Sequence, residues 1–252
     1  MKRAILSLAF TLLLLSVLLS GVVSRCTLEG GLSPNTTEPI PADPRVKAVV
    51  ERLRPSVVGI RATGDRSGLV QEIGLGTGLI LRADGLVVTN DHVITRGDHS
   101  AGNEPAARID VELHNGDRRR ATVVRRFPSQ DLAFLEIEGT DLIPAALATS
   151  LDEVKEGDFV VAIGKTPTLT QPVTVGRVTA VLHNVRSPSL PGLTTLITNS
   201  VPLVQGFSGG PLADEHGRVI GINVATVVQE GSSGIAIPAP IVLEAMKQVL
   251  GD

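Results

Sequence analysis

Disulfide chemistry is absent from this 252-residue chain: its single cysteine, Cys26, cannot form an internal bridge. The same scarcity excludes a multi-cysteine metal cluster. Tryptophan and tyrosine are missing altogether and only five phenylalanines occur, so any core is built from aliphatic side chains. Excess positive charge is lacking too. The formal net charge is −3, and residues 1–26 hold Lys2, Arg3 and Arg25 without an acid, which leaves the remainder at −6. An acidic body argues against nucleic acid or anionic lipid as the main partner, because phosphate binding needs a net cationic face. What is present is a hydrophobic share of 42%, well above that of a disordered chain, and enough length for one large or two small domains.

The first 26 residues read as an export segment. Met1-Lys2-Arg3 is a small basic start, and Ala4–Val23 then carries no charge. Twenty residues suffice to cross a bilayer. Two outcomes follow from this pattern. Val22 and Ser24 stand at −3 and −1 of a cleavage before Arg25; alternatively, 4–23 stays in the cytoplasmic membrane as a signal anchor. Arg25 occupies the place where a lipobox wants a small residue, so Cys26 reads as incidental. Either outcome puts the body in the periplasm or at the cell surface.

Residues 27–44 are rich in Pro, Gly, Thr and acids without an apolar period, as expected of a flexible linker. Asp43-Pro44 can cap and open a helix in which Val46, Val49, Val50 and Leu53 recur at helical spacing, with Pro55 ending it. From there to about residue 240 the pattern is β. Residues 107–114 alternate strictly, and Asn115-Gly116 offers a type I′ turn into Arg118–Phe127. Asp84-Gly85 suggests the same turn between Leu79–Leu81 and Leu86–Val88. Further strands fit Phe159–Ile163, Val173–Val181, Leu196–Thr198, Val219–Ala225 and Gly234–Ile237, followed by an amphipathic helix with Val242, Ala245, Met246 and Val249. Many short strands with regular turn signals mean an all-β sandwich or barrels.

The stretch GFSGGPL (206–212) carries chemistry. A serine between glycines lets the backbone turn sharply, exposing the hydroxyl while nearby N–H groups converge. Gly206-x-Ser208-x-Gly210 also satisfies the nucleophile-elbow pattern of α/β-hydrolases, but that fold needs an acid and a histidine downstream. Only 44 residues follow Ser208; they are β-rich and their sole histidine is His216. Upstream, His92 lies in TNDHVI (89–94) after an apolar strand, and Asp131 lies in QDLAFLEI (130–137) at the head of another. The order His, Asp, Ser, with gaps of 39 and 77 residues, is that of chymotrypsin-type enzymes.

The stretches GTGLILRADGLVVTNDHVI (76–94), DLAFLEI (131–137), GDFVVAIGKTP (157–167), VTVGRVTAV (173–181), GFSGGPL (206–212) and GRVIGIN (217–223) together resemble the protease domain of the HtrA/Deg family. The resemblance covers roughly residues 45–250. It implies a chymotrypsin/trypsin-like fold of two six-stranded antiparallel β-barrels, near 45–145 and 150–240, with a short N-terminal and a C-terminal helix. Catalysis would sit in the cleft between them. By that resemblance Ser208 is the nucleophile, His92 the general base and Asp131 its orienting acid, with the N–H groups of Gly206 and Ser208 as oxyanion hole. The expected reaction is hydrolysis of unfolded or misfolded polypeptides through an acyl-enzyme, with no cofactor and no metal.

Departures from the family pattern carry expectations of their own. Phe207 replaces the usual Asn before the nucleophile, within an altered Ser200–Phe207 segment. Pro202 stands where trypsin-like specificity needs Asp, while Leu203 and Val224 suggest a shallow apolar pocket for small aliphatic side chains. The altered segment also motivates an alternative function, a locked trypsin-fold module that binds peptides or acts as a chaperone. Asp91 reads as a solvated turn acid, and the five arginines within 118–126 as solvated hairpin faces. Gly74-x-Gly76-x-Gly78 is followed by strand, which excludes a dinucleotide site. No PDZ domain is expected within this chain. Trimers of the family commonly use aromatic residues from the N-terminal segment, and residues 25–60 contain none, so the resemblance leaves room for a homo-oligomer without specifying a trimer.

Overall fold

The structure is a computed structural model that describes residues 43–66, 69–95, 104–165, 173–187, 190–224 and 234–251. The export segment and the linker up to residue 42 lie outside the described residues. Among those described, no helix is long and apolar enough to cross a membrane.

Helix α1 (Pro44–Leu53) opens as its capping signal requires. The Asp43 carboxylate accepts the Arg45 N–H at 2.8 Å and Pro44 fills the first turn, where a missing N–H costs nothing. Six strands follow: β1 (Val57–Arg66), β2 (Leu69–Ile80), β3 (Leu86–Thr89), β4 (Arg108–Glu112), β5 (Arg118–Phe127) and β6 (Leu132–Ile137). They close a barrel in the order β1-β2-β3-β6-β5-β4. A second set, β7 (Phe159–Ile163), β8 (Val173–His183), β9 (Thr195–Asn199), β10 (Pro211–Asp214), β11 (Val219–Val224) and β12 (Gly234–Pro238), closes as β10-β11-β12-β9-β8-β7. All pairings within both barrels are antiparallel. Helix α2 (Ala239–Leu250) ends at Gly251 in the left-handed region.

Period-two alternation decides which core each side chain joins. Val58, Ile60, Ile80, Val87 and Leu135 point into the first barrel. Val160, Ala162, Ile197, Leu212 and Ile220 point into the second. Their neighbours Val57, Leu79, Val88, Val161 and Val219 form a third cluster, together with Val46, Val50 and Leu53 of α1 and Val242 of α2. That third cluster draws on both barrels and both helices, so it locks the barrels together. A strand apolar on both faces, such as β3, is therefore buried on both.

Two turns differ from expectation. In a type I′ turn both central residues have positive φ. Here Gly116 has φ 90° while Asn115 does not, Gly116 N–H donates to Leu113 O, and Leu113 N–H donates to Asp117 O. This is a three-residue loop, a type I turn closed by a left-handed glycine. Likewise Arg82–Gly85 forms a four-residue loop, with Gly85 N–H donating to Arg82 O and Leu81 N–H to Leu86 O. An Asx contact from Asn115 Oδ1 to the Asp117 N–H lets Asn115 stay in the ordinary region and leaves the strain to glycine.

Candidate active site

β3 delivers its last residues to the face that meets the second barrel, where the chain turns through a single 3-10 turn, Asp91–Val93. That turn carries His92. Between β5 and β6 another 3-10 turn, Pro128–Gln130, ends on Asp131, which adopts φ 53° and ψ 43°. A left-handed non-glycine residue is uncommon, and Asp is among the types that tolerate it. Asn90 holds this conformation by donating from Nδ2 to Asp131 O at 2.9 Å. Ser208 comes from the second barrel, in the turn before β10.

The three side chains form one chain of hydrogen bonds. His92 Nδ1 lies 2.8 Å from Asp131 Oδ2 and 3.0 Å from Oδ1, and the His92 backbone N–H donates to the same Oδ1 at 3.0 Å. Asp131 is fully buried, so its charge is met by donors rather than water. An ionised carboxylate only accepts; Nδ1 therefore carries the proton and Nε2 is left as an acceptor. Ser208 Oγ stands 3.0 Å from that Nε2, where its O–H can donate. The arrangement can move a proton from the serine to the imidazole and hold the resulting imidazolium against a carboxylate.

Gly206 has φ 106° and Gly209 φ 82°. A side chain at 209 is excluded outright, because a Cβ there would overlap Thr77 O and Thr89 Oγ1 of the first barrel. Phe207 is 0% exposed and belongs to the core of the second barrel, so it anchors the turn from below. Leu203 is partly buried against that same core and sits beside Gly234, at the start of β12. Val224 is 1% exposed and packs into the cluster shared by the barrels, so the two expected pocket residues belong to different clusters.

Two sequence expectations need correction. Asp91 is 1% exposed and forms a bidentate ion pair with Arg126 of β5, at 2.6 and 2.8 Å. It is not a solvated turn acid, and Arg126 is not a solvated hairpin residue. Hydrogen bonding to Asp91 raises the Arg126 pKa, against a smaller opposing effect of burial. Arg118, Arg120 and Arg125 do lie on the hairpin surface, where Arg118 pairs with Glu112 at 2.9 Å and Arg125 donates to Gln248 O at 2.8 Å, while Arg119 is half-buried and donates to Glu138 O. Reasoning from sequence also passed over Thr77, Thr89 and Asn90, each fully buried. Their signal was available: polar residues inside or ending apolar strands must find partners.

Two closed six-stranded antiparallel barrels, with a serine, a histidine and an aspartate meeting where they join, define the architecture of chymotrypsin-like peptidases. The family model described as trypsin-like peptidase domain matches residues 76–222. A probable periplasmic serine endoprotease, DegP-like, of Chlamydia trachomatis is 34% identical over 180 residues, 70% of this chain and 34% of that protein. The mitochondrial serine protease HTRA2 of Bos taurus is 33% identical over 208 residues, 79% of this chain and 43% of that one. Among solved structures, the HtrA-type protease AlgW with tripeptide superposes with a TM-score of 0.68 at 30% identity, covering 81% of this chain and 63% of that one. The chain belongs to the trypsin-like peptidase family, in its HtrA/DegP branch. It spans between a third and under half of the length of the curated relatives it matches.

Proposed function

We propose that this chain is an exported serine endopeptidase that hydrolyses unfolded or misfolded polypeptides. The observation that carries the reading is the unbroken relay Asp131–His92–Ser208, with contacts of 2.8 and 3.0 Å. Ser208 Oγ attacks the peptide carbonyl as His92 Nε2 takes its proton. The tetrahedral oxyanion faces the N–H groups of Gly206 and Ser208. His92 then returns the proton to the leaving amine, and water repeats the cycle on the acyl-enzyme with His92 again as base. Asp131 keeps the imidazole in the Nδ1–H tautomer throughout. No cofactor or metal enters the scheme.

Leu203 beside Gly234, with Pro202 in place of an acid, supports a P1 preference for small aliphatic side chains, while Val224 packs into the cluster between the barrels. The periplasmic relatives and the uncharged 4–23 segment support extracytoplasmic action, with tethering at the membrane if that segment is retained. The locked-module alternative keeps the relay and places the block in the Ser200–Phe207 segment, so labelling of Ser208 separates the two readings.

Fluorophosphonate labelling tests the reading. The full chain is expected to label on Ser208 and to degrade casein, and Ser208→Ala or His92→Ala to lose about a million-fold in kcat. Asp131→Asn should lose about ten-thousand-fold with the fold intact, because the imidazole takes the wrong tautomer. A folded chain that neither labels nor cleaves overturns the proposal.

A further inference from the structure

Thr77 is a fully buried hydroxyl on β2 of the first barrel, and it reaches across to the loop that carries Ser208. Its Oγ1 lies 2.6 Å from Gly206 O and 3.1 Å from Lys165 O, and accepts the Lys165 N–H at 2.7 Å. A hydroxyl has one proton to give, and the shorter contact to Gly206 O takes it. The Thr77 N–H donates to Ser208 O at 2.8 Å. Thr77 O in turn accepts from Thr89 Oγ1 at 2.7 Å, on the strand that leads to His92. One residue therefore holds the carbonyls on both sides of Phe207 and Ser208.

Peptide units are planar, so fixing a carbonyl fixes the plane that contains it. Thr77 fixes the 206–207 and 208–209 planes. The planes that present the proposed oxyanion donors, 205–206 through Gly206 N–H and 207–208 through Ser208 N–H, alternate with these. Gly206 is where the loop would otherwise turn, since φ 106° costs a glycine little and it has no Cβ to resist rotation. The hydroxyl removes that freedom, and does so from the opposite barrel.

We propose that Thr77 is a positioning residue for the oxyanion hole: its hydroxyl clamps Gly206 O and thereby sets the direction of the Gly206 and Ser208 N–H groups. The proposal rests on the serine-peptidase reading above. It predicts a defect confined to the tetrahedral state, because the clamp touches no substrate.

Full chains carrying Thr77→Ser, Thr77→Cys and Thr77→Val are compared with wild type. The probes are the coumarin anilide of an Ala-Ala-Val peptide, the corresponding peptide aldehyde, whose hemiacetal mimics the oxyanion, and a fluorophosphonate. Thr77→Val should lower kcat about tenfold to a hundredfold, short of the full loss of a direct oxyanion donor, with KM within about twofold. Aldehyde affinity should fall by the same factor. Thr77→Ser should restore both to within about threefold of wild type. Thr77→Cys, a weaker donor, should fall between Ser and Val; this comparison decides the matter if the valine variant does not fold. Wild-type kcat in folded Thr77→Val, equal kcat for the Ser and Cys variants, a loss in Thr77→Ser as deep as in Thr77→Val, or a rise in KM alone each overturns the clamp. Failure of wild type to label at Ser208 instead overturns the peptidase reading, and the clamp with it.

Discussion

Asp91 and Arg126 place a buried pair of opposite charges one residue from the imidazole that the proposed mechanism protonates. The pair ties the turn carrying His92 to β5, and β5 leads through Pro128–Gln130 into Asp131. Removing one partner strands a charge in a place where water cannot compensate it. Arg126→Leu is therefore expected to cost about 3 kcal/mol and to lower Tm by about 6–12 °C. Asp91→Asn combined with Arg126→Leu should recover most of that loss; calorimetry of the single and double variants measures the coupling. Asp91 was misread from sequence for a definite reason. Turn position predicts solvation, and only a partner 35 positions away makes burial tolerable. Phe207 is the converse case, a departure from the family pattern that the second barrel absorbs as core.

Strands and turns were legible to different degrees. β5 and β7 run over the residues their alternation and apolar content marked out, and α1 starts at its Asp-Pro signal. β1 and the long first part of β2 escaped notice because glycines interrupt their apolar pattern. Gly74 and Gly76 lie there because a Cβ at either would press on Val93, and at 76 also on Ser208 O at 3.0 Å. A glycine can thus weaken a strand signal while admitting the functional turn against that strand. Two glycines with positive φ separate strain from space. Gly116, at φ 90° with nothing near its absent Cβ, should tolerate Asn and lose only about 1 kcal/mol on change to Ala. Gly209→Ala meets Thr77 O and Thr89 Oγ1 as well, so it should lose Ser208 labelling as well as stability. Urea melts and fluorophosphonate labelling of the two alanine variants distinguish these outcomes.

At the scale of the two barrels, the proposed function depends on their holding their relation to one another. Their shared aliphatic cluster does most of this, and a polar contact reinforces it. Lys165, just after β7, reaches Glu112 of β4 at 3.3 Å, and Arg118 holds the same carboxylate. Burial alone would raise the Glu112 pKa, but the hydrogen bonds from Arg118 and Lys165 outweigh it and leave the group below the ordinary 4.5. The native state therefore binds that proton less readily than the unfolded chain. The resulting stability is fully present above 4.5 and fades as pH falls through the lower native value. Glu112→Gln should accordingly lower Tm near neutrality, and the gap from wild type should close in acid; a gap that stays constant with pH would contradict this. The sequence by itself determined the β class, the opening helix and the order of the histidine, aspartate and serine that the proposed mechanism uses, because these follow from local period, turn chemistry and motif. Tertiary structure alone decided that Asp91 is paired, that Thr77 spans the cleft and that Leu203 and Val224 enter different clusters. Each of those depends on contacts between segments far apart in the chain, and in a closed barrel such contacts are set by register and barrel docking, which no short stretch of sequence encodes.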